Sequence, residues 1–239
     1  METQILEWDS SFFGFKVGRV LAPRLDALGL RQALEGLASQ SVAMVYWSCD
    51  PKDGPSREAA LGLGGLKVDE KRLYRRNLAG AGRDVPAGVE PYGLREPDAD
   101  LLRLAVLSGG HSRFRVDPRF PRERFVALYE RWMRASLTGE MAETVWVARR
   151  QGALAGMVTL GRQKAEAFIG LIAVDPSYPR QGVGGDLVKA GLAWALEKGC
   201  ATSRVVTQGG NLPACRLYEK AGYQVDQVED VYHFWLRDP

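Results

Sequence analysis

Gly182, Gly184 and Gly185 close a loop that follows an apolar run of strand length, Phe168-Ile-Gly-Leu-Ile-Ala-Val174, and opens a helical pattern running from Asp186 to about Lys198. A second short apolar run, Ser203-Arg-Val-Val-Thr207, leads through Gln208-Gly-Gly-Asn211 into another helix ending near Ala221. The order is strand, glycine-rich loop, helix, strand, helix, and it restricts the fold to α/β. Glycines at a helix start let backbone N–H groups approach a ligand closely, because no Cβ stands in the way. Those N–H groups belong to the helix's first turn, which has donors without internal partners and the positive end of the macrodipole. The loop is therefore suited to a diphosphate.

The spacing excludes two familiar phosphate loops. No Lys-Ser or Lys-Thr follows the last glycine, so this is not a Walker A loop. Gly182-Val-Gly184 is followed by Leu187 where a dinucleotide fingerprint has glycine or alanine. A tight strand–helix turn with no ligand is the remaining plain reading of the loop by itself.

The wider pattern, Val174-Asp-Pro-Ser-Tyr-Pro-Arg-Gln-Gly-Val-Gly184 followed by Asn211, Ala214, Tyr218 and Gly222-Tyr223, resembles the GCN5-related N-acetyltransferase (GNAT) superfamily. The resemblance covers roughly residues 145–236. It implies a mixed, mostly antiparallel sheet flanked by helices, with acetyl-CoA as co-substrate and no metal. It also implies that a splayed strand at Ile172, Ala173 and Val174 pairs with the pantetheine arm, and that Arg180, Gln181, Gly182, Val183, Gly184 and Gly185 hold the diphosphate. Asn211, Ala214 and Leu217 are implied on the pantetheine side. The chain departs from the family pattern at Pro179, which removes one backbone donor and leaves more of the phosphate contact to Arg180 and Gln181.

The chain has 239 residues, 46% hydrophobic and 26% charged, a composition ordinary for a globular protein with a real core. The segment from Met1 to Val20 carries Glu7, Asp9, Lys16 and Arg19, so it does not read as a signal peptide, and no apolar run reaches membrane-spanning length. Cys49, Cys200 and Cys215 lack CxxC spacing, and with two histidines a metal cage is not expected. These features predict a cytoplasmic protein with no membrane insertion. A net charge of +3 gives no reason to expect nucleic acid as a partner. Seven arginines between His111 and Arg134 read either as a solvated helix face or as a positive wall for a phosphorylated substrate.

Read in order, Leu6–Phe15 is an aromatic-rich opening, and Val17–Leu21 is a strand. A helix follows from Leu25 to Leu37 with Asp26 able to cap it, then a buried strand at Val42–Trp47, a helix at Ser56–Leu63 and a strand at Leu66–Leu78. Residues 1–78 thus form a smaller N-terminal α/β domain, the Gly/Ala/Pro-rich 79–90 a linker, and 91–239 the catalytic domain. In the latter, helices at Asp98–Leu107 and Arg122–Ser136 precede a three-strand meander, and two strands around Tyr223–Val228 and Val231–Leu236 end it. An exposed strand edge at the C-terminus would suit a homodimer.

Acyl transfer from a thioester to an amine needs a neutral amine, a polarised carbonyl and a proton for the leaving thiolate. A thiol titrates near ~8.5 and a tyrosine near ~10, so a neighbouring phenol can protonate the departing sulfur. The resemblance makes Tyr218 that general acid, against core packing of its ring as the alternative. The backbone N–H of Val174 is the candidate for polarising the carbonyl. Glu166 is a candidate base acting through water, or a strand-end surface charge; Asp69 and Glu70 are others. Trp8-Asp-x-x-Phe-Phe-Gly14, Ser112-Arg-Phe-Arg115 and Val206-Thr-Gln-x-Gly-Asn211 together resemble the dTDP-fucosamine acetyltransferase family. That implies a nucleotide-linked 4-amino-4,6-dideoxy sugar as acceptor, with Ser112, Arg113 and Arg115 on the nucleotide-sugar side and Phe12, Phe13 or Phe114 stacking on base or sugar. Acetylation of a protein or small amine, and a non-catalytic CoA-binding module, are the alternatives.

Overall fold

The computed structural model describes residues 2–238, which form two compact units. The first takes residues 2–71, Ser112–Phe120 and 228–238; the second takes Arg72–His111 and Pro121–Gln227. The units are discontinuous in sequence, so the expected partition at 79–90 is not where they part. Chain proximity misleads here because the C-terminal strand returns to pair with an N-terminal one.

In the first unit, β1 (Thr3–Ile5) pairs antiparallel with β2 (Val17–Val20), and β2 runs parallel to β3 (Met44–Cys49). Strand β10 (Gln224–Trp235) pairs antiparallel with β3, placing Tyr46 opposite His233 and Trp47 opposite Tyr232. Alternation then divides the faces. Val45, Trp47, Tyr232 and Phe234 join Leu30, Leu34 and Leu37 of α2 (Ala27–Ser39) and Ala59 and Ala60 of α3 (Gly54–Gly62) in one core, while Tyr46 and His233 face the other way. Helix α2 starts where expected, Asp26 accepting from Gly29 N at 2.8 Å. Gly65 permits the close packing of the next turn: a Cβ there would lie 2.7 Å from the Phe234 ring.

Three local expectations are corrected in this unit. The aromatic opening contains a helix, α1 (Glu7–Phe13), stopped by Gly14 in the left-handed region at φ 78. The two C-terminal strands are one continuous strand of twelve residues. Strand β10 has β3 on one side and β4 (Leu66–Asn77) on the other, so it offers no free edge and the reason for expecting a homodimer is absent.

The second unit has the strand order β4-β9-β8-β7-β6-β5, with β5 at Val89–Pro91, β6 at Thr144–Arg150, β7 at Ala153–Gln163, β8 at Glu166–Val174 and β9 at Thr202–Gln208. The predicted meander β6-β7-β8 is antiparallel, and β8 runs parallel to β9. The mixed, largely antiparallel sheet is thus as expected, and β5 adds an edge strand across the end of the expected linker. Helices α4 (Ala99–Ser108) and α6 (Arg122–Leu137) bury Leu101, Leu104 and Met133 against one face. Helix α7 (Val183–Glu197) buries Leu187, Val188 and Ala190 against the other. Covered on both sides, β7 is buried almost throughout, which explains its near-continuous apolar sequence. Among the described residues, no helix is long and apolar enough to cross a membrane.

Candidate active site

The site in the second unit begins where β8 and β9 part. Their ladder runs from Glu166↔Thr202 to Ile169↔Val205 and stops, although β8 continues to Val174. On its other side β8 stays paired with β7 as far as Val174↔Gly156. Leu171 N donates to Thr159 Oγ1 (2.8 Å) and Asp175 N to Ala155 O (2.9 Å), so odd-numbered amides here point toward β7. By strand alternation the amides of Ile172 and Val174 point into the gap. A linear chain of amides, such as pantetheine, can pair there as a surrogate strand.

The loop after Val174 is organised by Asp175. Its carboxylate accepts from Ser177 N (2.8 Å) and pairs with Arg103 of α4. The Ser177 amide first, and then Arg103, hold its pKa below the ordinary carboxylate range. The chain then turns through left-handed conformations at Arg180 (φ 57) and Gly182 (φ 73). For Arg180 this is a strained choice. Gly182 is the N-cap of α7 and carries no side-chain cap, so the first amides of a fifteen-residue helix are left for an external acceptor. The one carboxylate of that first turn, Asp186, is paired with Arg150 and so opposes an incoming anion less.

Next to this helix start lies a groove of about 960 Å³, bordered by Gly182 and Gly185 from the loop, Leu217 and Lys220 from α8 (Leu212–Lys220), and Arg76 and Lys189. The groove thus joins the predicted glycines and Leu217 to three cations outside the expected site, Arg76, Lys189 and Lys220. Lys189 was legible, since it lies one helical turn beyond Gly185 on the same face. Gly184 sits under Leu217, its imagined Cβ 3.2 Å from Leu217 Cδ2, which sets how closely α7 and α8 pack. Arg180 and Gln181 are exposed on the loop, whereas the Val183 and Ala173 side chains point into the core, leaving their backbones as the usable part.

Asn211 caps α8, its side-chain oxygen accepting from Ala214 N at 3.2 Å. Replacing it with alanine should cost about 1 kcal/mol of stability, a fall of about 2–4 °C in Tm by thermal unfolding. Tyr218 is 1% exposed, with its ring 6.0 Å from Tyr74 and 5.9 Å from Tyr223, so core packing of the ring is a fact. Burial pushes its phenol well above the usual tyrosine range and keeps it protonated.

Glu166 does not serve as a base here. It is held at 2.9 Å by Arg75 and at 3.2 Å by Arg204, at the end of β8 opposite Val174. Eight residues of strand put it about 26 Å from the Val174 amide.

The predicted acceptor residues lie in the first unit. Ser112 precedes the short helix α5 (Arg113–Val116) and is buried; Arg115 is exposed. The Arg113 guanidinium lies 4.0 Å from the Tyr46 ring centre and 4.7 Å from that of Phe114. Phe13 and Phe114 pack on each other and on Phe120, at 4.9–5.6 Å between centroids, so their rings are core. Phe12 instead stacks on Trp8 at 5.0 Å.

Beneath them, His233 Nδ1 and Asp117 Oδ2 are 2.7 Å apart, both side chains fully buried. Asp117 also accepts from Trp235 Nε1 (2.8 Å) and Arg119 N (2.9 Å). Burial raises the Asp117 pKa, but the bonds from His233 and Trp235 outweigh it and leave the carboxyl below its ordinary value. Burial, ahead of every other influence, lowers His233 to about 4. A histidine depressed from the usual ~6.5 contributes stability that is present above pH 6.5 and lost as pH falls through 4. About 2 kcal/mol should be lost by pH 5, read as a falling urea midpoint that flattens in His233→Gln. A slope unchanged in the variant would refute this origin.

Comparison with known proteins fits this geometry. Residues 111–223, a little under half of the chain, match the Acetyltransferase (GNAT) family, and the chain has the GNAT fold. It is 31% identical over 145 residues to the dTDP-fucosamine acetyltransferase of Escherichia coli, covering 59% of this chain and 60% of that one. It is 27% identical over 135 residues to the spore coat polysaccharide biosynthesis protein SpsD of Bacillus subtilis, covering 56% and 46%. The matches therefore span less than two thirds of these curated relatives. A GCN5-related N-acetyltransferase of Sphaerobacter thermophilus shares the fold with a TM-score of 0.64, over 98% of this chain and 76% of its own, at 15% identity.

Proposed function

We propose that the protein is an acetyl-CoA-dependent N-acetyltransferase whose acceptor is the amino group of a nucleotide-linked 4-amino-4,6-dideoxy sugar. The observation that carries the acyl-CoA half is the parting of β8 from β9 beside an uncapped helix start. Amide-rich pantetheine suits the first feature and a diphosphate the second. The cations Arg76, Lys189 and Lys220 around the groove suit the remaining phosphate. The acceptor half is supported by the likeness to the dTDP-fucosamine acetyltransferase.

In this reading the Val174 amide donates to the thioester oxygen as negative charge develops on it. The acceptor nitrogen, neutral after losing a proton, bonds to the carbonyl carbon; the C–S bond breaks, and the thiolate takes the Tyr218 proton. A phenol with a raised pKa can do this because the same dry surroundings raise the basicity of the thiolate. Once bonded to carbon the nitrogen is cationic, and the proton it sheds as the amide forms returns to the Tyr218 phenolate, leaving a neutral amide and a free thiol. A thiol-release assay with acetyl-CoA and a panel of dTDP- and UDP-linked amino sugars tests the reading. Turnover is expected with a dTDP-linked 4-amino sugar, and turnover with peptide amines alone would overturn the acceptor.

A further inference from the structure

Buried polar atoms in folded proteins nearly always have a hydrogen-bond partner, so a group of them without one asks for an explanation. The first unit holds such a group: Tyr46 Oη, Asp69 Oδ1, Ser112 Oγ and His233 Nε2 are each buried and each lack a partner. They come from four segments of this unit. Tyr46 and His233 are direct cross-strand partners with rings 5.1 Å apart, on the face of β3 and β10 away from the aliphatic core. Arg113, the residue after Ser112, lies over the Tyr46 ring, and its charge opposes the rise that burial imposes on the Asp69 pKa. Asp9 of α1 is close enough to influence the Tyr46 hydroxyl without a bond of acceptable geometry.

The chemistry of the group specifies its ligand. A neutral His233 giving its Nδ1 proton to Asp117 presents Nε2 as an acceptor. Asp117 itself already accepts from three donors and has no part in recognition. An ionised Asp69 accepts as well, while the Tyr46 and Ser112 hydroxyls can do either. One fixed acceptor at His233 Nε2, a carboxyl at Asp69 that accepts once ionised, and two adaptable hydroxyls want a ligand rich in donors, that is, an ammonium next to hydroxyl groups. An anion would meet the wrong end of both His233 and Asp69.

We propose that the first unit carries the recognition site for the acceptor's amino group and sugar hydroxyls. Asp69 is the counter-ion of the ammonium, and His233 Nε2, Tyr46 Oη and Ser112 Oγ take the neighbouring hydroxyls. This rests on the amino-sugar reading above and adds Tyr46, Asp69 and His233 to it. Burial raises Asp69 to about 7 in the free protein, with Arg113, Lys71 and Glu70 as the charged groups acting on it. An arriving ammonium restores the carboxylate, so binding near pH 7 releases a proton from Asp69.

Calorimetry on the full chain, without acetyl-CoA, tests this with a dTDP-linked 4-amino-4,6-dideoxy sugar and its 4-hydroxy counterpart. The expected result is at least a tenfold preference for the amine, with proton release seen as a dependence of the heat on the buffer's ionisation enthalpy. Asp69→Asn, nearly isosteric, should erase both while CoA affinity and Tm stay close to wild type. Tyr46→Phe should raise KM several-fold with little change in kcat. Equal affinity for both sugars in the wild type, or an Asp69→Asn protein that keeps the preference, overturns the proposal. Amine-selective binding without thiol release would sink the transferase reading and leave this site standing. Thiol release with an unchanged KM in Asp69→Asn would do the reverse.

Discussion

Replacing Tyr218 with phenylalanine should lower kcat by about 10²–10³-fold and leave CoA affinity within about threefold, since general acid catalysis is worth that much. The substitution removes one oxygen and no ring packing, so the contacts with Tyr74 and Tyr223 persist and the fold is expected to hold. Because the phenol is buried and held protonated, wild-type turnover should show no alkaline fall below pH 9 traceable to this group. Pre-steady-state thiol release separates the effect from product dissociation. A variant with unchanged kcat would show that the leaving thiolate finds its proton elsewhere, and Tyr218 would keep only its packing role.

The second large effect is expected at Gly185. A Cβ built there meets nothing within 4 Å, and the residue borders the groove beside the α7 start. Gly185→Asp therefore adds volume and a negative charge where the diphosphate is proposed to sit. A carboxylate in a helix's first turn is favourable to the helix itself, so stability should not fall. CoA binding should weaken at least a hundredfold, about 3 kcal/mol, by calorimetric titration. By contrast, a bulky residue at Gly184 would push on Leu217 and confuse binding with folding. Undiminished affinity in Gly185→Asp would place the cofactor elsewhere.

How much of this was legible in the sequence depended on whether a signal was local. The loop from Asp175 to Gly185 was, because glycine placement and the following helical period both act within a turn. The α1 helix was not: its N-cap is Leu6, with no capping side chain, and its aromatic residues carry no helix signature. The C-terminal strand was broken in two at Glu229-Asp230, where two acids look like a turn. Asp230 is instead fully buried within the strand and held by Lys67 at 2.6 Å and Arg57 at 3.2 Å. Pairing across the whole length of the chain made those charges tolerable, and no local pattern announces such partners.

The same limit governs the site. The Val174 amide and the α7 start follow from neighbouring residues, whereas the distance of Glu166 along β8 and its pairing with two arginines are properties of the folded sheet that no local pattern carries. Tyr46 and His233 read as ordinary members of apolar strands. Register made them partners, and the Asp117 contact fixed which imidazole nitrogen is left bare.

The most direct measurement is a crystal structure of the chain with acetyl-CoA. The account predicts the diphosphate against the amides of residues 180–185, pantetheine paired with Ile172 and Val174, and the thioester sulfur about 3–4 Å from the Tyr218 hydroxyl. A cofactor bound away from that loop, or a Tyr218 hydroxyl that stays sealed in the core and out of reach of sulfur, would contradict it.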